Sequence, residues 1–73
     1  MKLEDFRFII DCKKAFEFEY RGIKYSITYG KDEKGEYIAF GRLYEPLRFY
    51  SWGEFMNEAR VENAFFREFI PEL

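Results

Sequence analysis

Phe16-Glu17-Phe18-Glu19-Tyr20-Arg21-Gly22-Ile23-Lys24-Tyr25-Ser26-Ile27-Thr28-Tyr29 is the stretch that decides the fold. Aromatic or aliphatic residues alternate with polar ones on both sides of Arg21-Gly22. That period of two predicts a pair of strands, and a two-residue loop containing glycine predicts the tight hairpin that joins them. The register follows. Tyr20 faces Ile23, Phe18 faces Tyr25 and Phe16 faces Ile27 on one side of the sheet. On the other side Glu19 opposes Lys24, a cross-strand pair of opposite charge. A slip of one residue would break both patterns.

Upstream of the hairpin, Leu3, Phe6 and Ile10 recur at helical spacing with Ile9 alongside. Glu4 and Asp5 in the first turn and Lys13 and Lys14 in the last suit the helix dipole, so a helix is expected over residues 3–13. Cys12 near its end reads as a small half-buried filler rather than a nucleophile, since it has no histidine partner. Downstream, residues 30–35 form a polar turn and residues 36–43 a third strand. A four-residue loop at 32–35 sets Ile38 and Phe40 beside Tyr29 and Ile27. A three-residue loop sets Tyr37, Ala39, Gly41 and Leu43 there instead. The first register is preferred.

Tyr44-Glu45-Pro46 interrupts the third strand, because proline cannot donate to a ladder. Residues 47–50 are expected as a short fourth strand at an edge. Ser51-Trp52-Gly53-Glu54 has the spacing of a capping box. Trp52, Phe55, Met56 and Ala59 then make one helical stripe, predicting a helix over 52–60. A last helical stretch is expected from Asn63, with the stripe Phe65, Phe66, Phe69 and Ile70, ended by Pro71. The expected fold is therefore α+β: one domain over residues 1–73, a three- to four-stranded antiparallel meander with N-terminal and C-terminal helices packed on one face.

The 73 residues include ten Phe, six Tyr and one Trp, too many aromatics for a disordered segment. No uncharged apolar run approaches the roughly 18 residues of a membrane-spanning helix. Met1-Lys2-Leu3-Glu4-Asp5 has no apolar core of a secretory signal. With one Cys and no such signal, a cytoplasmic location is expected. The net charge of −2 lacks the basic excess of a nucleic-acid binder.

Catalytic chemistry finds few residues to carry it. There is no His to act as general base or zinc ligand. Asp32 and Glu33 do not have the oxygen-ligand spacing of a calcium loop and read as part of a solvated turn. Glu17 and Glu19 stand two apart on a strand as an acid–base pair might, but Lys24 and Arg21 neutralise them. No phosphate-binding glycine loop occurs. No cofactor, no metal and no catalytic residue is therefore expected. Lys34-Gly35-Glu36-Tyr37-Ile38-Ala39-Phe40 faintly matches the strand on which RNA-recognition sheets stack bases. Glu36 replaces an aromatic there, and the element order differs.

A sheet face with short helices needs roughly fifteen to eighteen core side chains, whereas 48% of 73 residues is about 35 hydrophobic ones. Phe8, Tyr37, Tyr44, Tyr50 and Phe66 are the aromatics expected to be left over, and exposed aromatics near an edge strand mark interfaces.

Three segments carry a resemblance: Phe18 to Ile27, Gly35-Glu36-Tyr37, and Phe49 to Ala59. Together they resemble a loose group of small uncharacterised bacterial proteins. That group shares an aromatic-x-aromatic-x-Gly-x-x-Tyr-x-Ile hairpin and an aromatic-x-Ser-x-x-Glu helix start. Asn63-Ala64 stands where the group shows a Gly-Lys turn. The resemblance implies a stand-alone cytoplasmic domain and supplies no catalytic residues. The leading expectation for function is a non-enzymatic protein-interaction module that self-associates, a homo-oligomer with no membrane partner. Single-stranded nucleic-acid binding through Tyr37 and Phe40 is the alternative, and an enzyme of unknown type the third.

Overall fold

The computed structural model describes residues 1–42 and 44–73. Leu43, the expected end of the third strand, lies outside the described residues. Helix α1 (Leu3–Asp11) leads into strands β1 (Phe16–Tyr20), β2 (Ile23–Asp32), β3 (Gly35–Arg42) and β4 (Leu47–Phe49). Helix α2 (Trp52–Glu58) follows, then a two-stranded ribbon of β5 (Arg60–Val61) and β6 (Ala64–Phe65) and two single 3-10 turns, Phe66–Glu68 and Ile70–Glu72. The main sheet is an antiparallel meander in the order β1-β2-β3-β4. The fold is α+β, as the sequence pattern implies.

The β1–β2 register pairs Tyr20 with Ile23, Phe18 with Tyr25 and Phe16 with Ile27, with Glu19 across from Lys24. Arg21 and Gly22 both have positive φ, 51° and 78°, the signature of the turn that matches strand twist. In β2–β3, Ile38 pairs with Tyr29 and Phe40 with Ile27. The preferred register holds, but both strands run further toward the tip, and Asp32 pairs with Gly35 across the turn at Glu33-Lys34. The Asp32 carboxylate tightens that turn by accepting from the Lys34 backbone N–H at 2.8 Å.

Helix α1 stops earlier than its charge pattern suggests. Lys13 takes φ 53°, and the Lys13 and Lys14 N–H groups donate back to the Ile10 and Ile9 carbonyls. That is the doubled backbone bond of a left-handed helix end, filled here by lysine instead of glycine. Leu3 does not join the stripe: Phe6 and Ile10 are buried and Leu3 is exposed. Cys12 is exposed rather than half-buried. Ser51 caps α2 by accepting from the Glu54 N–H at 3.0 Å, and the helix ends where Ala59 turns extended.

Residues 60–72 depart most from expectation. The helix expected from Asn63 is absent, and the turn at Glu62, φ 57°, folds the chain into the β5–β6 ribbon. The Phe66 N–H then donates to the Ala59 carbonyl at 2.8 Å, closing it. Pro71 sits in the first turn of the last 3-10 segment, where its missing N–H costs nothing, and does not terminate a helix.

The core lies between one sheet face and the helical layer. Phe6 and Ile10 of α1, Phe55 and Met56 of α2, and Phe66 and Ile70 of the 3-10 turns cover Tyr25, Ile27, Ile38, Phe40 and Phe49. Phe66 is fully buried, with ring centroids 4.6 Å from Phe40 and 5.5 Å from each of Phe6, Phe18 and Phe55. It is the hub of the core and not a leftover. Among the described residues fourteen hydrophobic side chains are buried and nine more pack partly buried against them, which absorbs more aromatics than the composition suggests.

Candidate functional site

The opposite face of the sheet is open, with Glu17, Glu19, Lys24 and Thr28 exposed. At its far end, where β2, β3 and β4 meet, the polar alternation gives way to an aromatic cluster. Tyr37 is registered against Gly30 and lies across it so closely that any side chain there would meet the phenol ring. Arg48 pairs with Ala39, two residues along β3 from Tyr37, which puts it diagonal to the ring. Its guanidinium stands 4.4 Å from the Tyr37 centroid. The same guanidinium donates to Asp32 Oδ2 at 2.8 Å, and the Tyr50 hydroxyl donates to that oxygen at 2.7 Å. Tyr37 and Tyr50 meet edge to face, 6.1 Å between centroids.

Asp32 is thus the latch of the cluster. The Tyr50 hydroxyl, then the Lys34 N–H and Arg48, hold its carboxyl below the usual range. The same bond to Asp32 pushes the Tyr50 phenol up, so that it stays a donor. In sequence Asp32 belongs to a polar turn, and nothing beside Arg48 marks it as part of a site. Both become visible only once β4 is in register against β3, where Arg48 and Tyr50 fall on the face of Tyr37.

Beside this cluster a crevice of about 220 Å³ opens between the end of α1 and the start of α2. Ile10, Ile38 and Phe49 form its apolar floor, with Tyr29, Tyr50 and Trp52 around them. Lys13 and Glu36 form an ion pair at the rim, which lowers the Glu36 carboxyl below its ordinary value. The Tyr29 hydroxyl donates to the Lys14 carbonyl at 2.8 Å, and burial pushes its pKa up to about 12. It therefore stays protonated. The volume falls short of the roughly 300–1,000 Å³ of small-molecule sites and matches a single side chain better.

The five aromatics expected to be left over separate into groups. Tyr37 and Tyr50 come together and both line the crevice. Phe8 stands apart on the outer side of α1, 62% exposed, and Tyr44 is 91% exposed in the β3–β4 connection. Phe66 is in the core. Trp52, on the helical stripe with Phe55 and Met56, is half-buried at the crevice and carries Arg7 at 5.2 Å from its ring centroid. Phe40 is 2% exposed on the covered face, opposite to Tyr37. The two rings of the nucleic-acid reading therefore share no platform.

Glu17 and Glu19 are exposed, away from the crevice. Among the described residues no group of three or more carboxylate or thiol side chains gathers at a metal-binding distance. No helix there is long and apolar enough to cross a membrane. No family model matches the chain, and neither does any curated protein or solved structure.

Proposed function

We propose that this protein is a non-enzymatic protein-interaction module that self-associates, taking an apolar side chain of its partner into the crevice between α1 and α2. The observation that carries the reading is an apolar recess sized for one side chain, floored by Ile10, Ile38 and Phe49, with Tyr50 and Trp52 in its lining. Tyrosine and tryptophan around an apolar recess are the groups that anchor protein interfaces. A second copy offers the complementary group, since Phe8 is exposed on α1, with the Lys14 Nζ 5.9 Å from its ring.

Sedimentation velocity at about tens of micromolar tests this directly. The expected result is a mass above that of the monomer, returning to the monomer in Phe8→Ser and in Trp52→Ala. A strict monomer, together with a pull-down that captures no partner, would overturn the proposal.

A further inference from the structure

The sheet has two edge strands, β4 and, on the side away from the crevice, β1. With Tyr20 and Ile23 flanking a two-residue loop, the residues that exchange hydrogen bonds with β2 are Phe16, Phe18 and Tyr20. The backbone N–H and C=O groups of Glu17 and Glu19 therefore point outward. Among the described residues no backbone hydrogen bond outside the sheet reaches them. Bare edges of this kind pair readily with another strand unless something discourages it.

The side chains select which strand that can be. A second β1 can pair here only by setting its own outward residues, Glu17 and Glu19, against these two. Every antiparallel register centred on Glu17, Phe18 or Glu19 within β1 then places at least one carboxylate directly opposite another, which is destabilising. Neither Glu17 nor Glu19 takes part in an ion pair among the described residues. On the covered side a depression of about 130 Å³ is lined by Phe18, Tyr20 and Phe69, with Glu72 among them. The edge is thus acidic on its open side and mostly apolar on its covered side.

We propose that the β1 edge receives an extended segment of another protein as a fifth strand. That segment alternates Lys or Arg, facing Glu17 and Glu19, with aliphatic residues facing Phe18 and Tyr20, and the same carboxylates exclude a second copy of the chain. The main chain supplies the attachment and the alternation supplies the selectivity, as in other strand-addition complexes. This surface is separate from the crevice, and the inference does not depend on self-association there.

Capped ten-residue peptides alternating Val with Lys, and Val with Glu, test it by backbone amide NMR on the full chain. The Val-Lys peptide is expected to shift the amides of β1, to slow exchange of the Glu17 and Glu19 amides, and to bind about tenfold or more tighter than the Val-Glu peptide. In the double variant Glu17→Lys with Glu19→Lys, both at exposed positions, the preference is expected to invert. The single variant Glu17→Lys sets a lysine opposite Glu19 in an antiparallel self-pairing, and is expected to form a dimer through β1, read as slowed exchange of the Glu19 amide with rising concentration. Equal binding of the two peptides, shifts confined to other parts of the molecule, or a preference unmoved by the double variant would each overturn the proposal.

Discussion

The two faces of the sheet hold their aromatic rings by different physics. On the covered face Phe40 and Phe66 sit among other rings, at 2% and 0% exposure, and among the described residues no polar side-chain atom is buried without a partner. On the open face Tyr37 is held between the bare backbone of Gly30 and the Arg48 guanidinium, and Tyr50 by its bond to Asp32. Burial of apolar area does not depend on protonation, whereas the Asp32 latch exists only while its carboxyl is ionised. Aromatic rings alone therefore do not make a core. The open-face rings depend on a charge for their positions, and that charge can be altered without touching the core.

The largest effect should come from the covered face. Phe66→Ala removes the ring that touches both layers and is expected to cost about 3–5 kcal/mol. In a chain of 73 residues that is a large share of the total. Urea unfolding checks it, with Phe66→Leu as the milder variant that should remain folded. A loss below about 1 kcal/mol would show that the C-terminal turns contribute little to the core and break the contrast between the faces.

Next in size is Gly30→Ala. A methyl group there collides with the Tyr37 phenol, and the ring has to leave its seat, for an expected loss of about 1–3 kcal/mol. In the background of Tyr37→Ala the same substitution should be almost neutral, since the collision is gone. The double-mutant cycle by urea unfolding reads the coupling between the two positions. Additive losses would show that Tyr37 does not rest on Gly30.

How much of this was legible follows the length of each pattern. The β1–β2 hairpin repeats its alternation over fourteen residues, from Phe16 to Tyr29, so its register follows from the sequence. Residues 60–72 carry no repeat of that length. Arg60-Val61 and Ala64-Phe65 are too short to show a period of two, and Phe65, Phe66, Phe69 and Ile70 imitate a helical stripe. A 3-10 turn brings Phe66 and Phe69 into line three residues apart, so the same residues serve a different backbone. Phe65 is instead flanked on the surface by Arg60 and Arg67, at 4.5 and 4.8 Å from its ring. At the site, Tyr37 and Tyr50 stood out as surplus aromatics. Asp32 and Arg48 did not, because nothing local marks a charge that meets its partner only through the pairing of β4 with β3.

The smallest effect is also the one that separates the faces most cleanly. Asp32 is ionised at neutral pH in both the folded and the unfolded chain, but the folded carboxyl gives up its proton more readily because Tyr50, the Lys34 N–H and Arg48 all donate to it. An unfolded Asp takes up its proton near pH 3.9, so below that the unfolded chain binds more protons and stability falls as the pH drops through the folded value. Asp32→Asn should therefore be less stable than the parent at pH 7, and the gap should close as the pH is lowered below about 4. Glu36, held low by Lys13, adds an acid-sensitive contribution common to both chains, so it cancels from the difference. The gap between Phe66→Ala and the parent should stay constant over the same range, since no proton is taken up at that ring. Urea midpoints at pH 7, 5 and 3 measure both gaps. If the Asp32→Asn gap were as flat as that of Phe66→Ala, the open-face rings would be held by packing alone, and the two faces would be alike after all.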